Sequence, residues 1–244
     1  MGKSYTSDFL SGNSEEIWIR LSSYEDIYDS HECNVAVGIM TDIMHRVKSN
    51  IELLIHRLLS LGYLFDDTSE HAHKRIEEYK EIERMRYRNP PLNIGVLIEK
   101  LEKREGKIPL SLRLFYKIVG SVNLTGHFPD NRFGTCYLDA LQVNPIELVL
   151  DMQTFFRETE DYDVPFVIPI APDQYYKVGE SGGSTYSIEL PNASLDALLQ
   201  FEPHATYFID YLRLCFQWGG FLGLENYGQM SNDILELRKD LMLF

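Results

Sequence analysis

The sequence predicts an α+β fold in which helices pack with a mainly antiparallel sheet. Three observations lead to this prediction. Helical spacing of apolar residues dominates the first half of the chain, whereas short alternating runs bounded by Gly and Pro dominate the part after Gly126. The strand-like runs also lie between helices without the regular strand–helix–strand order of an α/β protein.

The first strong helical signal covers residues 33–62 and ends at Gly62. Its apolar residues recur at spacings of three and four, so they form a heptad-like seam along one face. Such a seam suits either an antiparallel helix of the same chain or a second copy, and we therefore consider a homodimer through the N-terminal helices. The seam consists of Met44, Val47, Ile51, Leu54, Leu58 and Leu61.

A strongly charged segment over residues 70–88 predicts a second helix, which folds back on the first as an αα-hairpin. Asn89-Pro90-Pro91 cannot continue this helix, because proline lacks the amide hydrogen and fixes φ. These three residues mark the clearest domain boundary in the sequence.

The clearest unit follows over residues 94–126. Apolar residues at i, i+3, i+4 and i+7 begin at Ile94 and predict a helix that Asn93 can cap. Gly106 stands where a left-handed residue ends a helix, and Pro109 suits the first turn of the next one.

The remaining predicted elements are shorter, and each is bounded by Gly, Pro or a capping residue. Strands are predicted at residues 135–138, 166–170, 175–178 and 186–190, the last two as a hairpin across Gly182-Gly183. Helices are predicted at residues 144–157, started by Asn144 and Pro145, at 206–218, capped by Thr206, and at 231–244.

The helix, glycine turn and proline-led helix after residue 92 resemble the SMI1/KNR4 (SUKH) family. Val119 and Gly120 stand where that family usually has Asn-Gly, and the resemblance covers residues 92–220. The residues that carry it are Glu99, Glu102, Gly106, Ile108, Pro109, Phe115, Tyr116 and Gly120.

This resemblance implies a SUKH-like α+β domain at residues 92–220, with a helical extension at 1–91 and a helical tail at 221–244. It implies a protein-binding module that is not an enzyme, since family members serve varied protein partners. Many bacterial members look like immunity proteins that neutralise toxins, so the resemblance also implies a toxin as the partner.

Composition restricts the classes of partner. The chain has 244 residues, of which 44% are hydrophobic, and this is ample for a buried core. Its net charge is −14, from 37 acidic and 23 basic residues. Because phosphate binding requires clustered Lys and Arg, we expect no nucleic-acid partner, and the acidic balance would steer association with a basic one.

Cysteine usage and hydropathy indicate a cytoplasmic protein. Cys33, Cys136 and Cys215 are odd in number and widely spaced, unlike a disulfide framework or a zinc ribbon. No apolar run is long enough to span a membrane. We therefore expect no membrane contact and no metal. Neither a Walker A motif nor a GxGxxG pattern occurs, so we also expect no cofactor.

One acidic loop is the candidate site for a basic partner. It comprises Glu158, Glu160, Asp161 and Asp163. Carboxylates can also bind a hard cation, but the glycine and the distal glutamate of a calcium loop are missing here. A purely solvated acidic loop is the other interpretation, and the contact with a basic partner is the hypothesis that we carry forward.

An enzyme is the alternative hypothesis. Residues 179–183 match G-x-S-x-G, and Ser181, Asp196 and His204 follow in the order of a hydrolase triad. That motif needs its serine at a strand-to-helix turn, whereas the residues after Gly183 have a strand pattern. All three residues also lie too close in sequence for the α/β-hydrolase fold, so a hairpin turn explains the glycines better.

Overall fold

A computed structural model describes residues 14–65, 86–130, 133, 138–160, 163–180, 182–227 and 231–244. Within these residues, seven α-helices surround three small antiparallel sheets, which confirms the α+β prediction. The helices are α1 (Ser14–Ser22), α2 (Cys33–Ser60), α3 (Ile94–Glu105), α4 (Leu110–Leu114), α5 (Ile146–Thr159), α6 (Phe208–Gln217) and α7 (Asn232–Arg238). A π-helical turn at Phe115–Val119 continues α4, and 3-10 turns lie at Tyr176–Val178 and Leu222–Tyr227.

The strands are short, and all of their pairings are antiparallel. They are β1 (Leu64–Phe65), β2 (Tyr87–Arg88), β3 (Ser121–Asn123), β4 (Gly126–His127), β5 (Gln142–Val143), β6 (Val167–Ala171) and β7 (Tyr186–Glu189). One sheet pairs β1 with β4, the second has the order β2-β3-β5, and the third pairs β6 with β7.

Helix α2 confirms the long helix predicted at residues 33–62. Five seam residues, from Met44 to Leu58, are completely buried. The helix packs against α4, the π-helical turn and α7 of the same chain. Because other elements of the same chain cover the seam, the seam is not free to contact a second copy. The homodimer stays a prediction.

The unit after residue 92 also follows its prediction. Helix α3 runs from Ile94 to Glu105, and Gly106 follows it with a φ of 86°, a value that favours glycine. A side chain at Gly106 would also collide with Pro191, since a Cβ would lie 2.5 Å from the proline Cβ. Two details were wrong: the Asn93 side chain makes no capping hydrogen bond, and Pro109 precedes α4 rather than occupying its first turn.

The charged helix predicted at residues 70–88 falls mostly outside the described residues. Its last two residues, Tyr87 and Arg88, form strand β2 and pair with Val122 and Ser121, so a helix up to residue 88 was wrong. Gly120 allows this pairing, because a side chain there would run into the carbonyl oxygen of Arg88. The strand predicted at residues 135–138 lies almost entirely outside the described residues.

The predicted hairpin between residues 175–178 and 186–190 was also wrong. Residues Tyr176–Val178 form a 3-10 turn, and β7 pairs instead with β6. This pairing buries Ile168, Ile170 and Ile188 in the core. The apolar side chains of residues 175–178, in contrast, are exposed to solvent.

Two of the predicted capping residues have other partners. Asn144 donates its amide to the carbonyl of Pro169 (3.0 Å), and Pro145 takes the position before α5. The hydroxyl of Thr206 donates to Glu202, and Tyr207 takes the position before α6. Ser231 does cap α7, because its side chain accepts a hydrogen bond from the amide of Ile234.

The N-terminal helices, the sheets and the C-terminal tail share one hydrophobic core. The tail is bound to α2 through its backbone: the Asn50 side chain bonds both the amide and the carbonyl of Met242, and Arg57 donates to the carbonyl of Leu237. The boundaries predicted at residues 91 and 220 therefore separate segments that pack against each other. None of the described helices is long and apolar enough to cross a membrane.

Candidate partner-binding surface

Helix α5 carries apolar residues on two opposite faces. The inner face, which includes Ile146, Val149 and Leu150, is buried against the core. On the outer face lie Met152 and Phe155, three residues apart and therefore on the same side of the helix. The Phe155 side chain is 46% exposed, so the outer face presents a large aromatic group to solvent.

A buried ion pair fixes the C-terminal end of α5. Arg157 binds Glu105 through two hydrogen bonds, with Nε–Oε1 at 3.0 Å and Nη2–Oε2 at 2.5 Å. Burial alone would raise the pKa of Glu105, but the hydrogen bonds from Arg157 and Gln153 outweigh burial and lower the pKa. The Arg157 side chain is only 8% exposed.

The acidic loop begins where α5 ends. Glu158, Glu160 and Asp163 are exposed, whereas Asp161 lies outside the described residues. Arg157 also donates to the carbonyl of Val164 (2.9 Å), so the cation that neutralises Glu105 holds the far end of the loop as well. Glu158 lies in the last turn of α5, so the loop was predicted to begin too early; Glu160 and Asp163 lie in the loop itself.

Exposed apolar side chains flank these acids on both sides. Met152 and Phe155 precede the loop, and Val164 follows it on the segment that leads into β6. The rings of Phe156 and Phe166, 5.5 Å apart, pack the two ends of the loop together underneath. We call the following residues the acidic–apolar surface: Met152, Phe155, Glu158, Glu160, Asp163 and Val164.

The chemistry of this surface suits a protein contact. Apolar groups surrounded by charge are typical of protein interfaces, in which the apolar part excludes water and the charged rim selects the partner. In the part of the chain that the structure describes, no three His, Cys, Asp or Glu side chains converge to hold a metal ion. The sequence predicted the acids but not the apolar groups, because Met152 and Phe155 look like core residues of a helix until its inner face is known.

Two residues of the alternative hydrolase triad, Asp196 and His204, have other hydrogen-bond partners. Asp196 accepts hydrogen bonds from Ser111 Oγ (2.6 Å) and from the amide of Ile209 (3.1 Å), which ties α4 to α6. Burial raises the pKa of Asp196 to about 6. His204 bonds two glutamates instead of Asp196, and Ser181 lies outside the described residues. The pairing of Asp196 with His204 was therefore wrong.

His204 belongs to a structural bridge that sequence reasoning missed. Its Nδ1 lies 2.7 Å from Glu202 and its Nε2 lies 2.6 Å from Glu225, so the ring joins the loop before α6 to the turn Leu222–Tyr227. Partial burial would lower the pKa of His204, but both carboxylates favour the charged ring and raise the pKa. The sequence does place Glu202, His204 and Thr206 two residues apart, a hydrogen-bond acceptor followed by two donors, and this spacing could have indicated the bridge.

A second buried ion pair was also missed. Lys177 Nζ lies 2.5 Å from Asp139 Oδ1, and each side chain is 2% exposed. The other oxygen of Asp139 accepts a hydrogen bond from the Tyr186 hydroxyl (3.0 Å). This pair fastens the 3-10 turn at Tyr176–Val178 to the sheet, and it withdraws a second cation from the surface.

Comparison of the chain with protein-family models, curated proteins and solved structures found no match. The structure defines an acidic α+β protein with an exposed acidic–apolar surface. Its resemblance to the SMI1/KNR4 family rests on the sequence pattern alone.

Proposed function

We propose that the chain is a non-enzymatic protein-binding module of the SMI1/KNR4 type, a cytoplasmic immunity protein that neutralises a basic toxin. The observation that carries the proposal is the acidic–apolar surface, where Glu158, Glu160 and Asp163 stand beside the exposed ring of Phe155. The helix, glycine turn and helix at residues 94–119, on which the family resemblance rests, also support it.

Charge supports a basic partner in particular. The whole chain has a net charge of −14, which attracts a cationic protein over about one Debye length, roughly 30 Å at 0.01 M salt. Glu158, Glu160 and Asp163 add exposed negative charge at the proposed contact. The acids would therefore speed the encounter, and Phe155 and Met152 would slow dissociation by excluding water at the contact.

Charge reversal on the acidic loop tests the proposal. The partner is recovered from the native cell on the immobilised wild-type chain, purified and identified, and its association rate is then measured against two variants. The test variant is Glu158→Lys/Glu160→Lys/Asp163→Lys. The matched control has the same change in charge at exposed glutamates of α1, α2 and α7, and is Glu16→Lys/Glu52→Lys/Glu236→Lys.

We expect the test variant to associate at least about tenfold more slowly than the control at low salt. The difference should shrink as salt screens the exposed charges. Equal rates for the two variants would mean that net charge, and not this loop, attracts the partner. An unaltered rate for the test variant would exclude the loop as the contact.

A further inference from the structure

A small hairpin at residues 198–207 extends the sheet of β6 and β7. Gln200 and Ser187 exchange two backbone hydrogen bonds, which join the hairpin to β7. Within the hairpin, Leu198 pairs with Tyr207, and the amide of Leu199 donates to the carbonyl of Thr206 (2.9 Å). The loop between the two arms comprises residues 201–205.

This hairpin exposes three large apolar side chains. Leu198 and Tyr207 are 47% and 52% exposed, and as directly paired residues of an antiparallel ladder they lie side by side on one face. Phe201, at the start of the loop, is 64% exposed. Little of the free energy of folding can come from an aromatic ring that remains mostly in water.

The backbone of the loop is held in an unfavourable conformation. Phe201 has a φ of 64° and Ala205 a φ of 50°, and both values lie in the left-handed region that favours glycine. Residues kept in this region without being glycine concentrate at ligand clamps and other functional sites, since the surrounding structure must hold them there. The loop thus maintains Phe201 in one position although the position is strained.

The buried carboxylate of Glu202 fixes the loop through hydrogen bonds. Its side chain is completely buried and accepts hydrogen bonds from the amide of His204 (2.9 Å) and from the hydroxyl and the amide of Thr206 (3.1 and 3.3 Å). His204 then connects the loop to Glu225. An exposed side chain on such a rigid base loses little conformational entropy when it binds a partner.

The exposed face of the hairpin continues one face of the sheet formed by β6 and β7. Val167, three residues after Val164, pairs with Glu189 of β7, and Gln200 donates to the Glu189 carboxylate (3.1 Å). Glu189 therefore lies between the exposed Val167 of β6 and the hairpin arm that carries Leu198 and Gln200.

The charges around the hairpin also suit a basic partner. Glu189 and Asp210 are exposed, and Glu225 is partly exposed. Lys177 is buried against Asp139, and Arg213 is bound to Asp210 and to the carbonyl of Phe244. Lys177 is therefore withdrawn from solvent, Arg213 and Asp210 form a partly exposed pair, and Glu189 presents an exposed carboxylate beside the hairpin.

We propose that the 198–207 hairpin is a second contact for the same basic protein partner, with Phe201 as its preorganised anchor. This inference rests on the proposed function and extends it, because it adds the hairpin as a second apolar contact to that of Met152 and Phe155 beside the acidic loop. Three exposed apolar side chains beside an exposed carboxylate suit a folded partner that has an apolar cleft and a basic rim.

Replacing Phe201 by glycine separates binding from folding. Glycine accepts a positive φ without strain, so Phe201→Gly removes the ring and suits the backbone better than phenylalanine does. We expect the midpoint of thermal unfolding to stay within about 3 °C of the wild type or to rise. The dissociation constant for the purified partner recovered on the wild-type chain should increase at least about tenfold.

The matched control is Leu92→Gly, which removes an exposed apolar side chain from a loop on another part of the chain. It should leave the dissociation constant within about twofold of the wild type. Unchanged binding by Phe201→Gly, together with weakened binding by the acidic-loop variant, would overturn the hairpin contact and leave the proposed function intact.

Other results would also overturn the inference. A fall of the unfolding midpoint by more than about 6 °C in Phe201→Gly would mean that the ring belongs to the fold. Self-association of the wild-type chain that Phe201→Gly abolishes, with partner binding unchanged, would assign the hairpin to a second copy. Failure to recover any partner whose binding falls with salt would overturn the proposed function and the hairpin contact together.

Discussion

Helices α2 and α5 contain apolar residues at similar spacing but use them differently. In α2 the whole seam from Met44 to Leu58 is buried by other helices of the chain. In α5 the inner face is buried to the same extent, yet Met152 and Phe155 remain on the outer face beside three exposed acids. The comparison teaches that periodicity identifies helices, whereas function depends on which apolar residues the fold leaves uncovered.

The largest effect that we expect concerns the ion pair beneath the outer face of α5. Arg157→Met should lower the free energy of unfolding by about 3–5 kcal/mol, because it leaves the Glu105 carboxylate buried without its cation. Arg157→Met/Glu105→Met should recover most of this loss. Urea unfolding measures both variants.

The control for this prediction is Arg20→Met, which breaks an exposed pair with Glu32 and should cost less than about 1 kcal/mol. If Arg157→Met were no more destabilising than Arg20→Met, the Arg157 pair would not fix the end of α5.

The second effect contrasts the two helices directly. Leu54→Ala in α2 should lower the free energy of unfolding by about 2–5 kcal/mol, since it leaves a cavity in the seam. Met152→Ala on the outer face of α5 should change it by less than about 1 kcal/mol, because that side chain is partly in water. Comparable losses at the two positions would show that the outer face of α5 is also part of the core.

A smaller effect concerns pH and the bridge through His204. The folded pKa of His204 lies above its usual value of 6.5, so the folded state binds more protons than the unfolded state in that interval. The bridge should therefore contribute fully below pH 6.5, and its contribution should be lost as pH rises through the folded pKa. Unfolding measured across this range should show stability falling with pH.

His204→Gln should flatten this pH dependence, because Glu202 and Glu225 then face a neutral group. The control, His45→Gln, changes an exposed histidine of α2 and should leave the pH dependence as it is. A slope that persists in His204→Gln would assign the titration to another group.

Local features of the fold could be predicted from the sequence. The periodicity of α2 and α3 and the stop at Gly106 are properties of neighbouring residues, and all three were confirmed. The partner of β7 was missed, because a short apolar strand does not specify which distant strand it pairs with. Residues 87–88 were missed for a related reason, since contact with β3 overrides the helical propensity of a charged segment.

The candidate site was predictable only in part. The acids of the loop are visible in the sequence because they cluster within a few positions. Pairs such as Arg157 with Glu105 and Lys177 with Asp139 join residues that are far apart in the chain, so no local pattern announces them. The burial of these two pairs therefore became clear only in three dimensions.

The measurement that tests the central claim most directly is partner binding by Phe155→Ala, made together with urea unfolding of the same variant. Phe155 belongs to the acidic–apolar surface and lies on the outer face of α5. We predict that the dissociation constant rises at least about tenfold while the free energy of unfolding changes by less than about 1 kcal/mol. An unchanged dissociation constant would contradict the account.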